Sequence, residues 1–217
     1  MQDVGAELHA KIRPSSLTLR APKSFYRRKS LMNLYEKYKL GFTYADFLNR
    51  YGTDAHRERW KQFHDQVTLT DAQRGLLQSF KRTMPVLCLA GAWCGDCVNQ
   101  CPFFAHFAAA TPTIQLRFLD RDEHADVQLA LKICGGDRVP VLVFFAEDGA
   151  EIGRYGDRTL SKYRQMMLDQ SGAGCPTGIT IGKDPLTAKV LQDWLNEFER
   201  MQWMLRLSAR LRKLHND

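Results

Sequence analysis

The sequence predicts an α/β protein: a mixed central sheet over residues 83–170, with helical extensions before it (31–82) and after it (185–217). Three observations predict this. Short apolar runs bounded by turn residues alternate with helix-period segments through the middle of the chain. Two of those runs, 141–145 and 151–155, are parted only by a turn on Glu147-Asp148-Gly149, a hairpin-like spacing that points to a mixed rather than all-parallel sheet. On either side of this region apolar residues recur every three or four positions, the helical period.

Residues 1–30 are rich in Pro, Ser and basic side chains, lack periodicity, and read as an arm. Leu31, Leu34, Tyr35 and Tyr38 then mark a first helix, interrupted at Gly41. Thr43 is placed to cap a second helix carrying Tyr44, Phe47 and Leu48. Thr53-Asp54 starts a third with Trp60, Phe63 and Val67, and Thr70-Asp71 a fourth with Leu76, Leu77 and Phe80. The middle region reads as strand 86–90, helix 97–109, strand 114–119, helix 124–133, strands 141–145 and 151–155, and helix 160–169. Residues 171–184, with Ser171-Gly172-Ala173-Gly174-Cys175-Pro176-Thr177-Gly178, form a linker by composition. Asp184 as N-cap and Pro185 at the first helical position open the last helix. Its apolar stripe runs Val190, Leu191, Trp194, Leu195, Phe198, Met201, Leu205, and the helix is expected to reach residue 213, on the order of 40 Å. Such a stripe reads as a face folded back on the central domain or on the N-terminal helices, ahead of self-association, so a monomer is expected.

Composition narrows the function classes. At 44% apolar the chain can bury an ordinary core, yet no apolar run approaches the ~20 residues that cross a bilayer. The first thirty residues hold no apolar stretch of signal-peptide length, so a soluble, cytoplasmic protein without membrane attachment is expected. The net charge is +7, and 11–39 alone carries nine basic residues against one acid, Glu36, so the remainder is near neutral. This stretch reads as a solvated arm. Nucleic acid or an acidic partner on Phe25-Tyr26-Arg27-Arg28-Lys29 is the alternative, and nucleic acid is not expected. Six cysteines are too few for a disulfide-stapled scaffold of this length.

The chemistry concentrates in Trp93-Cys94-Gly95-Asp96-Cys97. Two cysteines three positions apart, after a strand and at a helix start, can close a reversible disulfide. Unpaired backbone N–H groups and the positive end of the helix dipole favour a thiolate there, and the thiolate is the nucleophile in disulfide exchange. A Cys-x-x-Cys pair also holds zinc, but no second pair stands at zinc-ribbon spacing.

Residues 80–170 resemble thioredoxin. Trp93 precedes the first cysteine as in the Trp-Cys-Gly-Pro-Cys of that family. Pro102 follows Cys97 by five residues, where thioredoxins carry a proline that kinks the active-site helix. Val139-Pro140 lies 46 residues after Cys94 and leads into Val141-Leu142-Val143-Phe144-Phe145, the context of the thioredoxin cis-proline. Gly156 resembles the glycine of the substrate groove. The resemblance implies a thioredoxin-like three-layer fold and a thiol-disulfide oxidoreductase with no cofactor beyond a redox-active Cys94–Cys97 disulfide. Cys94 would be the attacking thiol and Cys97 the buried resolving thiol. Trp93, Gly95, Asp96, Val139, Pro140 and Gly156 would contact substrate, with the Val139 backbone pairing to an extended segment. The implied partners are disulfide-containing proteins and a reductase-like electron donor. The reading of Pro140 as a plain strand start is the alternative.

Two residues depart from that pattern. Asp96 replaces the intervening proline; it favours the helix by up to about 1 kcal/mol and opposes a nearby Cys94 thiolate. Cys88, six residues before Cys94, stands where thioredoxins carry a buried Asp that moves the proton of the resolving thiol, so Asp96, His106 or Asp120 becomes a candidate for that role. Cys88, Cys101 and Cys134 read as packing residues, with a second exchange step or a metal the alternative for Cys101 beside Cys94 and Cys97. Cys175 reads as a linker residue that could serve as an extra thiol. His124 reads as part of a solvated charge loop, and Gly135-Gly136-Asp137-Arg138 as the loop before Pro140. A redox-sensing binding scaffold is the second functional reading, and metal binding through the three cysteines the third.

Overall fold

Four short helices at the front of the chain owe their starts to side-chain caps. The structure is a computed structural model that describes residues 32–171 and 185–217. The basic arm with Phe25-Tyr26-Arg27-Arg28-Lys29, and the linker with Cys175 and Asp184, lie outside the described residues. Helix α1 (Leu34–Lys39) starts at Asn33, whose side chain accepts from the Tyr35 and Glu36 N–H groups. Thr43, Thr53 and Thr70 cap α2 (Tyr44–Tyr51), α3 (Asp54–Gln66) and α4 (Asp71–Gln78) as expected. His56 and Gln73 complete reciprocal capping boxes at the last two. Gly41 lets the chain turn tightly onto the sheet, since a Cβ there would lie 2.8 Å from the Arg117 Cβ.

The middle of the chain forms β1 (Met84–Ala90), α5 (Gly95–Val98), α6 (Cys101–Ala110), β2 (Ile114–Asp120), α7 (Ala125–Ala130), β3 (Val141–Phe145), β4 (Glu151–Gly156) and α8 (Leu160–Ser171). The strand order is β2-β1-β3-β4. β1 runs parallel to β2 and antiparallel to β3, and β3 is antiparallel to β4, so the sheet is mixed as predicted. Every residue of β1 and β3 is buried, which requires cover on both faces. Cys88 pairs with Phe118 and Leu142 across the neighbouring strands, so these share a face with Phe144. Trp60 and Phe47 of the front helices pack towards Phe118, while Phe198 meets Phe144 with centroids 5.1 Å apart. Tyr35 and Tyr38 of α1 pack on Phe145. Among these, Phe47, Phe118, Phe144 and Phe198 are fully buried, and each such side chain contributes roughly 1.5–3 kcal/mol.

The C-terminal stripe folds back on the core as expected. Trp194, Leu195, Phe198 and Met201 of α9 (Leu186–Leu207) are fully buried. Gln202 pins the chain just before β1: its side chain accepts from Arg82 N–H at 2.7 Å and donates to Arg82 O at 3.0 Å.

Six expectations are corrected. The helix expected over 97–109 is two helices, α5 and α6, with Gln100 between them at φ −133°. Pro102 sits in the first turn of α6, where its missing N–H and its ring interfere with no earlier turn, instead of kinking a continuous helix. The single C-terminal helix ends at Ser208, whose extended backbone closes α9 and whose Oγ accepts from Leu211 N–H to start α10 (Ala209–His215). Pro185 occupies the N-cap position of α9, not its first helical position. The helix expected over 124–133 stops at Ala130; Cys134 has φ +51°, Gly135 has φ +73°, and Ile133 and Gly136 bridge in a turn. Cys134 is exposed there, not packed.

Candidate active site

Cys94 ends the loop that leaves β1 and is the N-cap of α5; its N–H donates to Gly91 O at 3.0 Å and its carbonyl accepts from Val98 N–H at 3.0 Å. Gly91 lies close under the Trp93 ring: a Cβ there would stand 3.0 Å from it, a tight contact from which the ring would have to move. Cys94 is half-buried and Cys97, one turn on, is fully buried. The Cys94 thiol faces Val139 O at 3.8 Å, and the Val139–Pro140 peptide bond is cis. The structure therefore brings together Cys94, Cys97, Val139 and Pro140 from two separated stretches. Gly156 pairs with Val141 beside them, and a Cβ at Gly156 would strike Pro140 O at 2.5 Å.

Trp93 is 44% exposed and forms one rim of the site. Its Nε1–H donates to Asp122 at 3.1 Å, and the Arg121 guanidinium lies 4.5 Å above its ring. Arg121 also donates to Asp137 O at 3.0 Å, tying the rim to the loop before Pro140. From below, Trp60 Nε1–H donates to Ala92 O at 2.7 Å, so the front helices hold the active-site loop.

Asp96 does not stand free. Arg158 forms an ion pair with it and, at 3.2 Å, with the buried Asp157. Asp157 also receives Arg138 at 3.1 Å and the Tyr163 hydroxyl. Burial works against the ionised form of Asp157, but Tyr163 and Arg138 outweigh it and hold the carboxyl below its ordinary value. Gln100, in the break between α5 and α6, donates to Asp96 O at 3.2 Å and Asp157 O at 2.9 Å, and accepts from Trp194 Nε1–H at 2.8 Å. The C-terminal helix thus reaches the backbone of the dithiol helix through one side chain.

Of the candidates for moving the Cys97 proton, two are engaged elsewhere. Asp120 accepts from the Asp122 and Glu123 N–H groups, and His106 stacks on His64 and contacts the His64 carbonyl at 3.1 Å. The neighbours of Cys97 are instead thiols. Cys101 interacts with Cys97, and the Cys101 and Cys88 sulfurs lie 3.9 Å apart; all three residues are fully buried. Burial alone would push the Cys97 thiol up, yet hydrogen bonds from Cys101, Cys94 and Gly91 N–H (3.5 Å) bring it down to about 5. The hydrogen bond to Cys97, and then burial, push the Cys94 thiol up, against the Cys97 and Asp96 N–H groups that favour its thiolate. The two thiols therefore ionise as one coupled pair that holds a single negative charge between them. Among the described residues no group of three or more His, Cys, Asp or Glu side chains is arranged to hold a metal ion. No helix of the described residues is long and apolar enough to cross a membrane.

Sequence reasoning missed Arg158, Asp157, Gln100, Trp194 and Arg121 as site residues, and read Trp60 only as core. None carries a motif; the single hint was an unpartnered Asp96, which calls for a nearby cation.

Comparison with known proteins bears on this geometry. The thioredoxin family model matches residues 41–170. A protein of unknown function from Pseudomonas aeruginosa shares the fold at 17% identity, covering 79% of this chain and 97% of its own, with a TM-score of 0.59. An HIV epitope scaffold does so at 18% identity, covering 78% and 97%, with a TM-score of 0.58. Thioredoxin from Fasciola hepatica aligns at 25% identity over 44% of this chain and 88% of its own, with a TM-score of 0.31. No curated protein matches the sequence.

Proposed function

Because the chain belongs to the thioredoxin family, we propose that it is a thiol-disulfide oxidoreductase acting on disulfide-containing proteins through Cys94 and Cys97. One observation carries the reading: a half-buried cysteine at a helix start lies one turn before a fully buried partner cysteine and 3.8 Å from the Val139 carbonyl. The pair attacks with its negative charge on Cys94, the half-buried sulfur, and its proton on Cys97. The Cys94 thiolate attacks one sulfur of a substrate disulfide, forming a mixed disulfide and expelling the other substrate sulfur as a thiolate. Cys97 then attacks the Cys94 sulfur, closing the Cys94–Cys97 disulfide and releasing the second substrate thiolate. The substrate gains two electrons, and an external dithiol donor of reductase type restores the pair. The Val139 backbone and the Trp93 face are the proposed contacts for an extended substrate segment.

Insulin reduction driven by dithiothreitol tests the assignment. The wild type is expected to accelerate precipitation of the insulin B chain, and Cys94→Ser to remove the acceleration. An inactive wild type would overturn the enzymatic reading and leave the dithiol as a sensor on a binding scaffold.

A further inference from the structure

Four thiols lead from the surface to the sheet. Cys97 interacts with both Cys94 and Cys101, and the Cys101 sulfur lies 3.9 Å from that of Cys88. The last three are fully buried, on α5, α6 and β1, so small oxidants reach Cys101 and Cys88 only through the outer pair. The exchange proposed above uses the outer two alone. Resting on that reading, we propose that Cys101 and Cys88 are a second, internal redox pair that accepts the disulfide from Cys94–Cys97.

The relay balances in two exchanges. Cys101 gives up its proton and attacks the Cys97 sulfur of the Cys94–Cys97 disulfide. The Cys97–Cys101 bond forms, the Cys94–Cys97 bond breaks, and Cys94 leaves as a thiolate that takes the proton. Cys88 then attacks Cys101; the Cys88–Cys101 bond forms, the Cys97–Cys101 bond breaks, and Cys97 leaves with the proton Cys88 gave up. No electrons enter or leave the protein. The outer dithiol is regenerated and reduces a second substrate disulfide, so the fully reduced chain holds four electrons. Hydrogen bonds already stabilise a thiolate on Cys97, which makes it a good leaving group in the second exchange. The replacement of a buried carboxylate by a thiol at position 88 is thereby given a chemical use.

The test oxidises the fully reduced full-length protein with oxidised glutathione, quenches in acid, alkylates under denaturing conditions and maps peptides by mass. The wild type is expected to carry both Cys94–Cys97 and Cys88–Cys101 disulfides, losing four thiols among these positions. Cys97→Ala is expected to leave Cys88 and Cys101 alkylated, because the route inward is cut. A wild type that forms Cys94–Cys97 and keeps Cys88 and Cys101 reduced overturns the relay and leaves the enzymatic reading standing. A Cys88–Cys101 disulfide that forms as fast in Cys97→Ala overturns the route. If neither disulfide forms, both readings fall together.

Discussion

Arg158 closes an ion pair on Asp96 from 62 residues away, placing a cation against the one charged side chain inside the Cys-x-x-Cys loop. Asp96 opposes the Cys97 thiolate, and Arg158 offsets that opposition. Arg158→Ala is therefore expected to move the ionisation of the thiol pair upward, by about half a unit to one unit for roughly 1 kcal/mol of restored repulsion. Adding Asp96→Asn should bring it back. Ultraviolet titration of the reduced variants measures both, and an unmoved Arg158→Ala titration would remove Asp96 from the electrostatics of the site.

The thiol pair itself has a pH signature. Burial opposes the Cys97 thiolate, but the donors around it bring the thiol down to about 5. A depressed thiol is ionised above its folded value and protonated below it. Thiolate absorbance of the reduced protein should therefore rise as pH passes about 5, with one thiolate per pair, and the oxidised protein should lack the step. A Cys101→Ala variant loses one donor and should titrate higher. A wild type with no step below the ordinary thiol range, near 8.5, contradicts the hydrogen-bonded pair.

What could be read from the sequence was local. The caps Thr43, Thr53 and Thr70 were legible because each bonds a backbone N–H three residues ahead, a relation written in consecutive positions. Cys94, Cys97 and Val139-Pro140 were legible through spacing and strand context. The helix breaks at Gln100 and Ser208 were not, because apolar residues continue at helical spacing through both. Cys134 looked packed, but the turn at Gly135 carries it outward. Gln100, Arg158 and Trp60 act through partners 32 to 94 residues distant, and nothing beside them in the chain marks that role.

Gln100 is the residue through which the C-terminal helix reaches the site. Gln100→Met keeps the bulk but strands the Trp194 N–H and the Asp157 carbonyl, both buried. A loss of about 1–3 kcal/mol per stranded group is expected, read as a fall in the urea midpoint without a change in slope. Insulin reduction should fall as well, because Gln100 also holds the Asp96 carbonyl at 3.2 Å. Full stability in Gln100→Met would mean that α9 is held by its apolar stripe alone.

In the proposed exchange Cys94 attacks a substrate disulfide and Cys97 releases the product, and trapping the mixed disulfide between the two steps tests it. Cys97→Ser, incubated reduced with a disulfide-bonded peptide, is expected to accumulate a one-to-one mixed disulfide that peptide mapping places on Cys94, while the wild type releases reduced peptide. No adduct on Cys94, or an adduct carried only by the exposed Cys134, would contradict the account.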